Sequence, residues 1–174
     1  MLEFLKAEKT NAEEIIEVYK TVSEKMKKDG IDYTADMYRN DEEVVSDIES
    51  GRLFFVRDNG KIIGAVIVDE KEPEESKGFD WKTNNSHMFI RKLCLVPEAL
   101  KDGIGIFTMF GVENILNRSF TVFGKAVVYE KNENARKFFE KLGYTCSGEA
   151  SKDGFNFKCY MKDIANYVHR CDDW

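Results

Sequence analysis

The sequence is poor in the residues that signal covalent or metal chemistry. Two histidines, His87 and His169, in 174 residues leave little room for histidine-based catalysis. The four cysteines, Cys94, Cys146, Cys159 and Cys171, include no Cys-x-x-Cys pair, so neither a dithiol redox motif nor a zinc knuckle is signalled. Cys159, His169 and Cys171 have the chemistry to share a metal but not the spacing of a zinc site, and no metal is expected. No stretch approaches the ~20 apolar residues of a membrane span. Met1-Leu2-Glu3-Phe4 lacks the basic region and apolar run of a signal peptide. A soluble, cytoplasmic chain without membrane contact is the expectation. Basic excess is missing too: 26 Lys and Arg stand against 32 Asp and Glu, for a net charge of −6. That argues against a broad nucleic-acid-binding face. There is no internal repeat and no low-complexity tract.

What is present suffices for one packed domain over residues 1–174. Hydrophobic residues make up 43% and aromatics 13%, enough to fill a core at this length. The most informative run is Leu93 to Gly105. Leu93 to Val96 read as a strand that stops at Pro97, because proline cannot donate to a sheet ladder. After Gly105 the apolar positions take helical spacing, with Ile104, Phe107, Gly111 and Ile115 on one face. A strand feeding a glycine turn at a helix N-terminus can receive an anion. Free N–H groups point outward and the helix dipole adds partial positive charge. The run is neither familiar nucleotide motif: Thr108 breaks Gly-x-Gly-x-x-Gly, and no Gly-Lys-Ser/Thr follows.

Read in order, Leu2 to Lys6 is a short strand. A helix capped by Thr10 or Asn11 runs to about Lys28, with Ile15, Tyr19, Val22 and Met26 inward and Asp29-Gly30 as its end. Residues 31–40 are a loop carrying Tyr33 and Tyr38. A second helix covers about 41–50, with Val44, Val45 and Ile48 inward. Leu53 to Arg57 and Lys61 to Asp69 form a hairpin about Asp58-Asn59-Gly60, since Asn-Gly between apolar runs favours that turn. Residues 70–86 read as a long inserted loop of the kind that often serves as a lid or binding loop. A strand over 87–96, a helix over 103–118 and a strand over 121–129 follow. Next come a short helix with Ala135, Phe138, Phe139 and Leu142 inward, and strands near 144–149 and 155–161 joined at Asp153-Gly154. A tail covers 163–174. Alternation of strands and helices in this order predicts an α/β fold with a mixed sheet.

Two stretches together resemble the GCN5-related N-acetyltransferase (GNAT) family. The first is a strand ending in apolar-x-Pro, here Leu95-Val96-Pro97, followed by an arm that opens a helix, here Leu100 to Gly105. The second is the more specific. It reads Asn132-x-x-Ala135-x-x-Phe138-Phe139-Glu140-Lys141-Leu142-Gly143-Tyr144. The resemblance implies a mixed, twisted sheet of about six to seven strands flanked by about four helices. It also implies acetyl-coenzyme A (acetyl-CoA) as cosubstrate. Strands 87–96 and 121–129 would part at their C-terminal ends to admit the pantetheine. Cys94, Leu95 and Val96 would bond it like an added strand, and the diphosphate would rest on Leu100, Lys101, Asp102, Gly103, Ile104 and Gly105. Asn132, Ala135 and Phe139 would flank the pantetheine and thiol side, and Arg136 or Lys137 would meet the coenzyme's 3′-phosphate. The activity implied is transfer of an acetyl group to a primary amine, small-molecule or protein, by direct attack in a ternary complex, with homodimer formation left open.

Two features depart from the family pattern. Leu100 stands where the family usually has Gln or Arg, and Asp102 puts a negative charge beside the expected diphosphate, with Lys101 as an offset. Phe139 replaces a frequent Tyr whose hydroxyl protonates the leaving thiolate. Candidate catalytic groups are therefore read from position: His87 and Glu130 as bases, and Tyr144 as a nearby hydroxyl outside the motif slot. Asp69 and Glu70 are further carboxylates beside the expected cleft, and Tyr33, Tyr38 and Trp81 are candidate walls of an acceptor pocket. The alternative reading is a catalytically weak or inactive CoA-binding sensor.

Overall fold

The computed structural model describes residues 1–35, 37–101 and 103–165. Among the described residues, seven strands and four α-helices follow in the predicted order. They are β1 (Leu2–Lys6), α1 (Ala12–Lys28), α2 (Asp41–Glu49), β2 (Leu53–Asp58), β3 (Lys61–Asp69), β4 (His87–Leu95), α3 (Ile104–Arg118), β5 (Phe123–Tyr129), α4 (Glu133–Lys141), β6 (Thr145–Lys152) and β7 (Phe155–Asp163). The strands form one mixed sheet in the order β1-β2-β3-β4-β5-β7-β6. Among the described residues no helix is long and apolar enough to cross a membrane. Contacts divide the chain into two compact units. The first comprises Met1–Val68 and Lys92–Gly111; the second comprises Asp69–Arg91 and the described residues from Val112 on. The division falls inside β4 and inside α3.

In the first unit, α1 buries Ile15, Tyr19 and Met26 as its spacing predicts. Its start differs from expectation. Asn11 is already helical, and its side chain accepts from the Glu8 N–H at 2.9 Å rather than from the helix ahead. A 3-10 turn over Lys9–Asn11 therefore precedes α1. Asn40 does cap α2, its Oδ1 accepting from Glu43 N–H at 2.8 Å. The β2–β3 hairpin closes through Asn59 and Gly60, both at positive φ, the geometry of a two-residue turn. Val44, Ile48, Leu53, Phe55, Ala65 and Ile67 join the α1 residues in one core. Gly64 of β3 lies so close to β4 that a Cβ would sit 2.4 Å from Leu95 Cδ2 and 2.6 Å from the Cys94 carbonyl oxygen.

In the second unit, β4 and β5 pair in parallel from His87–Phe123 to Phe89–Lys125. β5 pairs antiparallel with β7 along its whole length, and β7 with β6. Residues 70–86 are more ordered than the predicted loop. A 3-10 turn covers Glu74–Ser76, Ser76 is fully buried, and Trp81 packs with Phe89 and Cys159. The polar composition hid this, because Trp81 and Phe79 are the only large apolar anchors among residues 70–86.

Two predicted stripes are shifted. Along α3 the buried positions are Thr108, Met109, Val112 and Leu116, while Ile104, Phe107, Gly111 and Ile115 are half-buried on the flank. Thr108 escapes a period count of apolar residues because its hydroxyl satisfies itself on the Ile104 carbonyl at 2.8 Å. On α4, Phe139 alone is fully buried, stacked on Tyr160 and edge-on to Tyr144, and Phe138 and Leu142 are half-buried. The tail beyond residue 165, with His169 and Cys171, lies outside the described residues.

Candidate functional site

The first unit carries the glycine arm. The Val96 N–H donates to the Ile63 carbonyl of β3 at 2.8 Å. Successive N–H groups of a strand point to opposite edges, so the Leu95 N–H is directed away from β3. Pro97–Ala99 form a 3-10 turn, closed by Ala99 N–H to the Val96 carbonyl at 2.9 Å. Gly103 follows at φ +74°, a conformation that costs a side-chain-bearing residue about 1 kcal/mol or more. A Cβ built there meets nothing within 4 Å, so the turn faces open space. The first α-helical bond of α3 runs from Phe107 N–H to the Gly103 carbonyl at 2.9 Å. The N–H groups of Gly105 and Ile106 precede it and have no acceptor within the helix. The arm thus presents converging donors at a helix N-terminus, where anions are favoured. Its outer lining is apolar and cationic: Leu100 is 66% exposed, Ile106 51%, and Lys101 is exposed as well. Asp102 lies outside the described residues.

The strand leading into the arm contains a residue that the sequence did not mark. Lys92 sits in β4 at φ +50°, rare for a lysine. Its buried ammonium is held by Asp47 at 2.8 Å and Glu43 at 3.3 Å, both on α2. Nothing in a run of alternating apolar and basic residues distinguishes such a position. Two residues on, Cys94 is buried between strands, and burial pushes its thiol up to about 12. It is a packing residue without nucleophilic character.

The second unit carries the Asn132–Tyr144 run. Asn132 caps α4, its Oδ1 accepting from the Ala135 N–H at 3.2 Å. Lys137 is exposed and paired with Glu133 one turn earlier. Tyr144 is buried. Its hydroxyl donates to Glu113 Oε1 at 3.3 Å, and the Lys162 ammonium donates to the same oxygen at 2.7 Å. Burial, then the charge of Glu113, raises the phenol well above its ordinary range. Glu130 accepts from Asn156 Nδ2 at 3.2 Å, and its carbonyl accepts from Arg136 at 2.9 Å. Asp69 is gripped by Arg91, Nε to Oδ1 at 3.0 Å and Nη2 to Oδ2 at 2.5 Å. Tyr38, in the first unit, donates to Asp41 at 2.5 Å on the surface.

His87 differs from these engaged groups. Its Nδ1 lies 3.2 Å from the Asn85 carbonyl oxygen. A carbonyl only accepts, so Nδ1 is the donor, which in the neutral ring leaves the lone pair on Nε2. The ring stands edge-on to Phe89 at 5.5 Å. Phe89 also faces Lys125, a buried lysine absent from the sequence-based candidates. A lysine among valines and aromatics of a strand reads as an outward-facing charge, and only the covering by Trp81 reveals otherwise. Among the described residues no three His, Cys, Asp or Glu side chains gather as a metal group.

Comparisons with known proteins agree with this layout. The family model described as "Acetyltransferase (GNAT) family" matches residues 14–144. No curated protein matches the sequence significantly. A GNAT-family acetyltransferase from Streptococcus agalactiae superposes with a TM-score of 0.80 at 18% identity, covering 93% of this chain and 95% of that one. A second, from Listeria monocytogenes, gives 0.75 at 16% identity over 93% and 94% of the two chains. The yncA protein of Salmonella typhimurium, solved with its cofactor acetyl-CoA, gives 0.69 at 12% identity over 94% of each. At these identities the structures speak for the fold, and the family model covers most of the sequence. The chain belongs to the acetyltransferase (GNAT) family.

Proposed function

We propose that this chain, acting as one acetyltransferase domain, moves an acetyl group from acetyl-CoA to a primary amine by direct attack in a ternary complex. The observation that carries the reading is the arm: Gly103 at positive φ opening α3, beside first-turn N–H groups that have no acceptor within the helix. These donors, with Lys101 near them, hold the diphosphate. Cys94 and Leu95 bind the pantetheine through backbone groups. The Leu95 N–H, directed away from β3, stabilises the oxyanion that develops on the thioester carbonyl. The amine attacks as the free base and its proton leaves to water; His87, at the opposite end of β4 from Leu95, is too far along the strand to take it directly. A C–N bond forms, the C–S bond breaks, and coenzyme A leaves as its thiolate. With Phe139 in the motif slot and the Tyr144 hydroxyl committed to Glu113, the thiolate takes its proton from solvent.

Binding and turnover are tested separately. Acetyl-CoA should raise the melting temperature in proportion to its saturation. Gly103→Glu places a carboxylate and a strained backbone in the diphosphate site, and should abolish that shift while the far-ultraviolet circular dichroism stays unchanged. An unchanged affinity in the variant removes the arm assignment. The lack of a hydroxyl at Phe139 favours one alternative, a coenzyme-binding sensor. Saturable binding without thiol release from any amine in a broad panel would select it.

A further inference from the structure

Lys92 combines a strained backbone with a buried charge. Its φ of +50° lies in the left-handed region, inside a strand, where glycine would sit without cost. Its side chain is only 6% exposed, and the ammonium donates to Asp47 Oδ2 at 2.8 Å and stands 3.3 Å from Glu43 Oε1. Backbone strain of this kind persists only where the surroundings hold it, and it gathers at functional sites.

The holding element is α2. Glu43 and Asp47 are one turn apart and share a face of that helix. The helix is itself seated firmly: Asn40 caps it through the Glu43 N–H, and Val44 and Ile48 are buried in the first core. Glu43 Oε2 is buried without a hydrogen-bond partner among the described residues, so the charge of that carboxylate is answered by Lys92.

The segment anchored in this way is short. Leu95 lies three residues on, roughly 10 Å along the strand. Beyond it the Val96 N–H is bonded to the Ile63 carbonyl at 2.8 Å, and between the two anchors the chain closes on Gly64. Thus α2 fixes one end of Leu93–Val96 and β3 the other. A single left-handed residue turns the peptide planes that follow it, as a bulge does, and re-aims their N–H groups. Glycine at this position would accept the same φ but bring no anchor. Lysine accepts the strain and supplies the anchor.

We propose that Lys92 is a positioning residue for acetyl transfer: held by Asp47 and Glu43, it fixes the left-handed turn that aims the Leu95 N–H at the thioester oxygen. This role rests on the acetyl-transfer reading above. Lys92 does not touch the reacting atoms. Its effect falls on the transition state, because the Leu95 N–H gains strength as negative charge builds on the thioester oxygen while the amine nitrogen bonds the acetyl carbon. Affinity for the diphosphate is left to the arm.

The test needs no knowledge of the acceptor. Acetyl-CoA carrying carbon-13 at the acetyl carbonyl is bound to the full chain, and its carbonyl stretch is read by isotope-edited infrared spectroscopy. A hydrogen bond weakens the C=O bond, so the parent band should lie below that of free acetyl-CoA. Lys92→Met, and Glu43→Gln combined with Asp47→Asn, should return the band toward the free value. Lys92→Gly relieves the strain but lacks the anchor, and should do the same. Lys92→Arg keeps the charge and should keep the band low. With any amine that turns over, kcat for thiol release should fall about tenfold or more in the Met variant, with KM for acetyl-CoA within about twofold. A parent band at the free value, or no binding of acetyl-CoA, overturns the oxyanion role of Leu95 and this inference with it. A low parent band that Lys92→Gly or the Glu43 and Asp47 pair retains overturns this inference alone, even where Lys92→Met does not fold. So does a lowered melting temperature with band and kcat unmoved, which marks an ion pair that serves stability only.

Discussion

Gly64→Ala is the sharpest probe of how β3 positions the strand ahead of the arm. The added methyl would lie 2.4 Å from Leu95 Cδ2 and 2.6 Å from the Cys94 carbonyl oxygen. The leucine methyl can rotate away, but the carbonyl belongs to the backbone, so β3 and β4 must separate locally. Ordinary contact needs about 3.4 Å or more, which asks for a displacement of most of an ångström. Overpacking of this kind costs about 1–3 kcal/mol. Alanine recovers part of that, about 0.5–1 kcal/mol, because glycine loses more backbone freedom on folding. The net expectation is a loss of about 1–2 kcal/mol, or roughly 2–8 °C in melting temperature for a chain of this size. The same separation lengthens the bond from Val96 N–H to the Ile63 carbonyl and moves Cys94 and Leu95 off their register. Coenzyme affinity, measured by calorimetry, should therefore fall severalfold in the folded variant. A Gly64→Ala chain as stable as the parent in urea, with undiminished affinity for acetyl-CoA, would refute the claim that this close approach positions β4.

Other expectations are narrower. Cys94 and Cys159 are both pushed up to about 12 by burial, from an ordinary value of 9.0. They should resist a thiol reagent at pH 8 under native conditions while exposed Cys146 reacts. Because their folded-state values are raised, their contribution to stability is complete below pH 9 and is lost between pH 9 and about 12, which an alkaline denaturation series would show. Asn132→Ala removes the α4 cap and should cost about 1 kcal/mol, read as a shifted urea midpoint with an unchanged slope.

Much of the architecture could be read from local chemistry. The Asn59-Gly60 hairpin, the end of β4 near Pro97, the glycine turn before α3 and the Asn132 cap each follow from what one residue type does to the backbone, and each stands where its pattern placed it. The shortfalls share a physical origin, since each needed knowledge of a residue's neighbours. Thr108 is buried because a helix carbonyl satisfies it. Phe139 lies deeper than Phe138 because Tyr160 and Tyr144 cover it. Segment 70–86 looked like a free loop because its two aromatic anchors find their partners on distant strands. In the candidate site, the arm and His87 were visible as motif and residue type. Lys92 and Lys125 were not: a lysine's ordinary place is on the surface, and only the packing around these two shows otherwise.

The division of contacts within β4 and within α3 also bears on how the chain is made. The first unit takes in Lys92–Gly111, so its core stays open until the strand and half-helix that close it have left the ribosome. The intervening Asp69–Arg91 belongs to the other unit and has to await β5 and β7. No single cut yields one unit by itself: residues 1–111 hold the first unit whole but carry Asp69–Arg91 of the second with them. A truncation before residue 92 would lose Cys94, Val96 and Ala99 from the first core and leave that apolar face open to aggregation. Successive lengths of nascent chain should thus gain protease resistance late, after residue 111 emerges, and not stepwise with each hairpin.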